Sequence, residues 1–283
     1  MDKVDQFESA FRAAARVVFH YRLMSIRSAM VVTDLDATAA EKFAADAQAF
    51  TAALAGRNEV SWLTITKDRF ETAKDLLSLV EEQHPDLIVT YRCLHSTAWQ
   101  LGFTLGAYID VLTQATTTPV LLLPHPARDS AAAGHTDKVM AITDHLVGDQ
   151  RLVNTALAFV APHGTLYLTH VEDDADFERY IDAVGKIPDI NTDSARKLIS
   201  EQLLKEPRDY IHSVATALDT AGVTCTTEAV VTIGHRVNEY RSLIEKHGVD
   251  LLVMNTKDED HSAMHGLAYA LAVELRHTPL LML

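Results

Sequence analysis

The chain has 283 residues, 48% of them hydrophobic, and a formal net charge of −14 from 39 acidic and 25 basic residues. This length accommodates two domains of ordinary size, each able to bury its own core. The negative charge opposes general binding to nucleic acid, because phosphates would be repelled. No apolar run approaches the roughly 20 residues of a membrane span, and acidic residues near the N-terminus do not fit a secretory signal. We therefore expect a cytoplasmic globular protein that binds neither nucleic acid nor membrane.

The first predicted element is a helix over residues 4–21. Phe7, Phe11, Ala14 and Val18 fall on one face of it, at spacings of three and four. Its short length and mixed charge favour docking onto the neighbouring domain over a membrane-surface role. Residues 1–27 are therefore predicted to be an N-terminal extension that packs on the first domain.

Residues 28–124 form the first predicted domain, in which apolar strands alternate with helical stretches. This alternation is typical of parallel strands that are buried on both faces. The predicted elements are strand 28–33, helix 37–55, strand 59–66, helix 69–83, strand 86–91, helix 97–114 and strand 118–123. Two prolines followed by small residues then predict a linker at 125–136.

Residues 137–283 form the second predicted domain, with an acidic helical insertion at about 172–221. Pro207 suits the first turn of a new helix, so the insertion is predicted to contain separate helices on either side of it. The predicted elements are strand 137–143, helix 149–160, strand 165–170, helices 174–184, 193–205 and 207–221, strand 224–231, helix 236–247, strand 250–255, helix 264–276 and strand 279–283. The insertion is a candidate partner surface or a lid over a site, or it only covers a sheet face.

The two predicted domains share four landmarks in the same order, which indicates an internal duplication. The landmarks are Val31-Val32-Thr33-Asp34 with Ala141-Ile142-Thr143-Asp144, Pro85–Thr90 with Val249–Met254, Gly106 with Gly266, and Thr118–Leu123 with Thr278–Leu283. The distance along the chain from Asp34 to Asp86 is about half that from Asp144 to Asp250. The first copy has therefore lost about one strand–helix unit, and the second has gained helix.

This ordered set of strand ends resembles the universal stress protein family, and its presence twice resembles the tandem members of that family. The resemblance implies two α/β domains of the Rossmann-like, adenine nucleotide alpha hydrolase-like type, each with a parallel sheet of five strands, the first shortened here. It implies ligand binding at the carboxyl ends of the strands, near the point where strand order reverses. It also implies pairing through the terminal strands, within one chain or in a homodimer.

The resemblance also implies positions for a nucleotide site. ATP-binding members carry Gly-x-x-Gly-x9-Gly-Ser/Thr after the fourth strand, because glycines and a helix N-terminus let backbone N–H groups approach phosphates. The carboxylate after the first strand of each repeat matches a group that accepts a hydrogen bond from the adenine amine. The candidate binding residues are therefore Asp34, Ser96, Gly106, Asp144, Gly234, His235 and Gly266.

Most of the ATP-binding motif is nevertheless absent. Cys93 and Ser96 stand where the first two glycines belong, and Ala107 replaces the hydroxyl residue. In the second repeat, three successive carboxylates at 258–260 would repel a triphosphate by about 1 kcal/mol for each close pair. We therefore expect degenerate nucleotide sites.

The functional expectation is a stress-response protein that acts without catalysis, through self-association and an unidentified protein partner. The alternative is a sensor that binds ATP or AMP with slow or no hydrolysis. Asp34 and Asp144 either hold a base or cap the helices that follow them. Gly234-His235 either contacts a ligand or simply turns the chain into the next helix.

Two further clusters permit weaker alternatives. His261 and His265 would share one helix face and could hold zinc, but no glutamate lies between them as in a metalloprotease helix. The run from Cys93 to His95 places a thiol near an imidazole without an orienting third group. We expect neither a metal site nor a catalytic constellation, and we expect Cys93 and Cys225 to be reduced structural thiols.

Overall fold

The structure, a computed structural model, describes residues 17–55, 59–100, 102–127, 134–143, 146–257 and 266–283. Its strands are β1 (Ser28–Val32), β2 (Ser61–Ile65), β3 (Leu87–Tyr91), β4 (Val120–Leu123), β5 (Lys138–Ile142), β6 (Thr165–Asp173), β7 (Thr226–Gly234), β8 (Leu251–Met254) and β9 (Leu280–Met282). They form one sheet in the order β2-β1-β3-β4-β9-β8-β5-β6-β7. The predicted α/β class is confirmed, and the sheet is continuous because the terminal strands β4 and β9 of the two predicted domains pair with each other.

The helices are α1 (Ala37–Phe50), α2 (Ala52–Ala55), α3 (Ala73–Gln83), α4 (Ala107–Ala115), α5 (Gln150–Phe159), α6 (Asp174–Val184), α7 (Thr192–Thr220), α8 (Arg236–His247) and α9 (Gly266–Glu274), with short 3-10 turns at Lys67–Arg69 and Ala98–Gln100. Local sequence determines several of the helix starts. The side chains of Asp36, Thr72, Asp149 and Asn191 each accept a hydrogen bond from a backbone N–H of the first turn. None of the helices in the described ranges combines the length and apolar character needed to cross a bilayer.

Two parallel halves of the sheet meet at one antiparallel strand pair. β4 and β9 run in opposite directions with Leu121 opposite Leu281, whereas the other neighbouring strands are parallel. All residues of β4 and β9 are buried. Pairing of the two strands therefore helps to keep their apolar residues away from water. β4 and β9 each have a strand neighbour on both sides, which leaves neither with a free edge.

The two halves differ at their outer edges. The first half has four strands and ends at β2, whereas the second half has five strands, with β7 lying outside β6. The long helix α7 covers β7 and β6 from one side. β2 is much more exposed than the central strands, with the Leu63 side chain 38% exposed.

Residues 17–27 form no helix or strand. The end of this segment contacts the first half, where the Arg27 N–H donates to Asp86 Oδ2 at 2.8 Å, but its earlier residues pack on the second half. Phe19 is buried, and its N–H donates to Ser213 Oγ of α7 at 3.2 Å. The Arg22 N–H donates to Asn154 Oδ1 of α5 at 2.8 Å. This part of the predicted extension therefore lies on the helices of the second half and not on the first domain.

Three other helix predictions differ from the structure. The helix predicted over 4–21 lies mostly outside the described residues, and its last residues, from position 17 onward, are not helical. The helix predicted over 97–114 is interrupted, because Gly106 has φ 92° and ψ 150°, which no helix accommodates.

The helices predicted on either side of Pro207 are one helix, α7. Pro207 is buried, and we attribute the uninterrupted helix to this packing, which offsets the hydrogen bond that the ring removes. The insertion begins only at Asp174, because β6 extends through the two residues before it.

Candidate functional site

The candidate site of the first half lies where β1 and β3 end side by side. The two strands are parallel neighbours, with Val31 opposite Val89. The chain leaves β1 to form β2 on one side and returns to form β3 on the other, which is the point of reversal where α/β sheets bind ligands. Asp34 follows β1, and the loop that begins at Arg92 follows β3.

Both carboxylate oxygens of Asp34 accept hydrogen bonds, one from the last residue of β3 and one from the loop that follows it. The Tyr91 hydroxyl donates a short hydrogen bond to Oδ1, and the His95 N–H donates to Oδ2 at 2.7 Å. The Tyr91 oxygen in turn accepts the Asp34 N–H at 3.0 Å. Asp34 therefore ties the ends of two strands together. It does not cap the following helix, because Asp36 does so by accepting the Ala39 N–H at 3.0 Å.

Tyr91 is the buried centre of this arrangement. Its ring makes edge contacts with Phe43 and His125, each with centroids 5.0 Å apart, and its hydroxyl lies 2.8 Å from Thr33 Oγ1. Burial, followed by the hydrogen bond to Asp34, raises the pKa of Tyr91 well above its ordinary value. Tyr91 therefore stays protonated at neutral pH and acts as a hydrogen-bond donor to the carboxylate.

The loop after β3 makes its first tight turns without glycine. Cys93 has φ 59° and His95 has φ 55°, a left-handed conformation that costs a residue with a side chain roughly 1–2 kcal/mol. Sequence comparison placed the missing glycines at Cys93 and Ser96, and the structure places the second left-handed residue at His95 instead. Ser96 is exposed, and its Oγ accepts the Ala98 N–H at 3.1 Å, so its hydroxyl supports the following turn.

Gly106 is required for backbone packing. A Cβ at this position would lie 2.8 Å from Cys93 Cα, and the φ of 92° strains any residue with a side chain. The Cys93 N–H donates to the Leu105 carbonyl at 2.8 Å, so the start of α4 lies directly against the loop. Gly266 differs, because a Cβ there would meet nothing within 4 Å and its φ is not left-handed. The repeated glycine is thus explained by close packing in the first half alone.

Aromatic side chains surround the start of α4, where a phosphate would approach a helix N-terminus. The His95 ring lies 4.9 Å from that of Phe70 and 5.4 Å from that of Tyr108, in the first turn of α4. The Tyr108 hydroxyl donates to the Glu71 carbonyl at 2.6 Å. These contacts hold aromatic rings beside the helix end.

The candidate residues of the second half are only partly described. Asp144, the loop 258–265 and its histidine pair lie outside the described residues. Gly234 ends β7, and His235 precedes α8 as an exposed residue without a side-chain capping bond. Since β6 lies between β7 and β5, the structure does not bring these two residues directly beside the end of β5.

The second half also has a carboxylate within the described residues, that of Asp149, which is the N-cap of α5. Its Oδ1 accepts the Leu152 N–H at 2.9 Å, and its Oδ2 accepts the Asn255 amide at 2.5 Å. Burial raises the pKa of the Asp149 carboxyl above its ordinary value. Asn255 directly follows β8, and Tyr91, which the repeats align with it, is the last residue of β3, so each half has a donor at this position that binds a carboxylate. The aligned repeats contained this signal, but sequence reasoning missed both donors.

The cations beside the candidate sites serve the junction between the halves. The buried Arg92 guanidinium donates to the Val273 and Leu275 carbonyls, at 3.2 and 2.7 Å, at the end of α9. The Lys257 ammonium donates to the Thr116 carbonyl, at 2.9 Å, at the end of α4. Each half therefore supplies a cation to the helix C-terminus of the other, where free carbonyls carry partial negative charge. In the part of the chain that the structure describes, no group of three or more His, Cys, Asp or Glu side chains could hold a metal ion.

No protein-family model and no curated protein sequence matches the chain. Among solved structures, a Pseudomonas aeruginosa protein provisionally named a universal stress protein aligns with a TM-score of 0.51 and 15% identity, over 92% of this chain and 93% of that one. A universal stress protein from Archaeoglobus fulgidus aligns with a TM-score of 0.47 and 11% identity, over 91% of this chain and 85% of that one. The first of these likenesses shows that the chain has the fold of universal stress proteins.

Proposed function

We propose that this chain is a non-enzymatic regulatory protein of the universal stress type, and that it acts in the cytoplasmic stress response. In this proposal its first half does not bind nucleotide, because the chain's own groups occupy the site. The observation that carries the proposal is the pair of hydrogen bonds to Asp34, one from the Tyr91 hydroxyl and one from the His95 N–H.

The described residues of the first half do not fit ATP. An adenine amine would have to compete with two internal donors for the Asp34 carboxylate, one of them a buried tyrosine hydroxyl. Arg92 is turned away towards α9 and cannot reach a phosphate without leaving two helix carbonyls unsatisfied. The His95 and Tyr108 rings lie beside the helix end that would otherwise receive an anion.

The arrangement of the strands supports a further part of the proposal, that the two halves are tandem copies of one unit. β1 lies between β2 and β3, and β5 lies between β6 and β8. In each half the first strand is thus flanked by the second strand and by the strand that carries the donor of the site. Among the described strands of the first copy there is no counterpart of β7.

The acidic insertion is the proposed contact surface for a protein partner. No residue of α7 before Pro207 is buried, and most of α6 is exposed or half-buried, with only Phe177 and Ile181 buried. Exposed apolar side chains, including Tyr180, Ile187 and Leu198, lie on this insertion. Exposed apolar surface of this kind is typical of sites that bind other proteins.

The competing function is an ATP or AMP sensor that uses the second half, which has the five strands expected for a nucleotide-binding domain. Thermal unfolding with and without ATP and AMP separates the two, because a ligand at a hundredfold excess over its Kd adds about 2.7 kcal/mol of stability. We expect no rise in Tm for the wild type.

A nucleotide-dependent rise in Tm that Asp34→Ala removes would contradict the proposal that the chain's own groups occupy the site of the first half. A rise that Asp144→Ala removes, and that Asp34→Ala leaves intact, would establish the sensor and locate it in the second half. Both variants are needed, since each is the matched control of the other.

A further inference from the structure

β2 is a terminal strand whose outer edge has no strand beside it in the described part of the chain. Its counterpart in the second half, β6, is covered at the same edge by β7. Ser61, Leu63 and Thr64 are exposed, and the five residues of β2 include no charged side chain. Natural proteins usually protect such an edge with charges, proline or a bulge.

The backbone hydrogen bonds of β2 show which of its residues face outward. The Ser61 N–H donates to the Arg27 carbonyl at 2.8 Å, and the Ile65 carbonyl accepts the Thr33 N–H at 3.0 Å. These residues therefore face β1. Since alternate residues of a strand direct their N–H and C=O groups to opposite sides, those of Trp62 and Thr64 point away from the sheet.

We infer that two copies of this chain associate through β2, antiparallel, about a two-fold axis at Leu63. In this register the outward groups of Trp62 face those of the partner's Thr64, and each such pair exchanges two hydrogen bonds. Leu63 lies beside the same residue of the other copy and loses its exposure to water. The two sheets become one, with a symmetric interface as in most homodimers.

Charge complementarity supports a second copy as the occupant. Glu59 lies two residues before β2 and Lys67 begins the 3-10 turn two residues after it. A two-fold axis at Leu63 therefore brings the end of β2 that carries Glu59 beside the end that carries the partner's Lys67, and both side chains are exposed in the isolated chain. The two-fold axis makes this ion pair twice. Opposite charges facing each other across strands are stabilising, whereas like charges destabilise the pair.

The other candidates for strand pairing are less suitable. β4 and β9 are enclosed on both sides. The outer edge of β7 is partly occupied, because Arg208 of α7 donates to the outward Val231 carbonyl at 3.4 Å. The inference does not rest on the proposed function, since it concerns the opposite edge of β2 from the Asp34 site and requires no ligand.

The first experiment measures the mass of the full chain by light scattering after gel filtration. We expect twice the chain mass of 31.2 kDa at concentrations of about 100 µM, where a dimer with a Kd near 1 µM (about −8 kcal/mol) is almost fully formed. Thr64→Pro removes an outward N–H and should give a monomer with unchanged circular dichroism. Thr227→Pro makes the same change at an outward position of β7 and should remain a dimer.

A charge exchange tests the register without altering the backbone. Glu59→Lys and Lys67→Glu should each raise the dimer Kd by about tenfold, since two ion pairs become repulsive contacts. The double variant should restore the wild-type Kd. A wild type that stays monomeric, a dimer that tolerates Thr64→Pro, or a double variant as weak as the single ones would overturn the inference.

Discussion

Replacing Gly106 with alanine tests whether this glycine serves backbone packing. At φ 92° and ψ 150°, it adopts a conformation that is nearly restricted to glycine, and such strain costs a residue with a side chain about 1–3 kcal/mol. The new Cβ would also lie 2.8 Å from Cys93 Cα and 3.0 Å from its nitrogen. These are backbone atoms that cannot rotate away, so overpacking adds about 1–3 kcal/mol. We expect the free energy of unfolding to fall by about 2–6 kcal/mol, the sum of the two effects.

Gly266→Ala is the matched control for this substitution. It changes the corresponding glycine of the second half, where a Cβ has open space and the helix has already begun. Alanine favours helix over glycine by up to about 1 kcal/mol, so this variant should be as stable as the wild type or slightly more stable.

The assay is urea unfolding followed by circular dichroism, with both variants and the wild type measured together at the same concentration. Equal stability of the two variants would refute the packing argument, because it would show that the chain relaxes around the Cβ without cost. It would also return the phosphate-binding interpretation of Gly106 to consideration, since close packing would no longer explain the glycine.

Three further predictions concern stability. Arg92→Met should lower the free energy of unfolding by about 2–3 kcal/mol, because the carbonyls at the end of α9 lose a charged donor. Arg241→Met is the control: it removes an exposed ion pair with Glu274 of α9 and should lower the free energy of unfolding by less than about 1 kcal/mol. Thr72→Ala breaks the capping box of α3 and should cost about 1 kcal/mol, whereas Thr66→Ala, at a cap without a side-chain bond, should cost almost nothing. Burial raises the pKa of Asp149, so the native state holds this proton more tightly than the unfolded chain. The stability of the wild type relative to Asp149→Asn should therefore fall as pH rises from the ordinary carboxyl pKa of 3.8 towards neutrality. Urea unfolding at several pH values measures this difference, and a difference that does not change with pH would contradict the raised pKa.

Local sequence patterns predicted most of the secondary structure, because their signals are contained within each element. The predicted helices 174–184 and 236–247 coincide with α6 and α8, since apolar periodicity and neighbouring turn residues define both. The helix predicted over 97–114 was wrong for a reason that lies elsewhere in the chain. The break at Gly106 depends on its contact with Cys93, which becomes visible only when the two segments are brought together.

The sequence indicated where a candidate site would lie, but it did not show which hydrogen bonds the residues of that site make. Repeat landmarks singled out Asp34, which lies just after β1, and Gly106, which lies at the start of α4. They did not reveal that Tyr91 and His95 already bind the Asp34 carboxylate, because a tyrosine after an apolar strand resembles any other core aromatic. The role of Arg92 was equally hidden, since its partners lie in the other half of the chain. Hydrogen bonds between distant segments have no signature in local composition.

The antiparallel junction at the centre of the sheet has a consequence for the order of folding. Leu122 of β4 pairs with Leu280 of β9, which closes a longer segment of chain than the other strand pairs do and therefore carries the highest entropic cost, although this cost grows only slowly with length. The strands on either side pair over shorter distances and can assemble first into two partial sheets. The pairing of β4 with β9 is then the late step of folding, and until it occurs each partial sheet exposes an apolar edge that can pair with another chain.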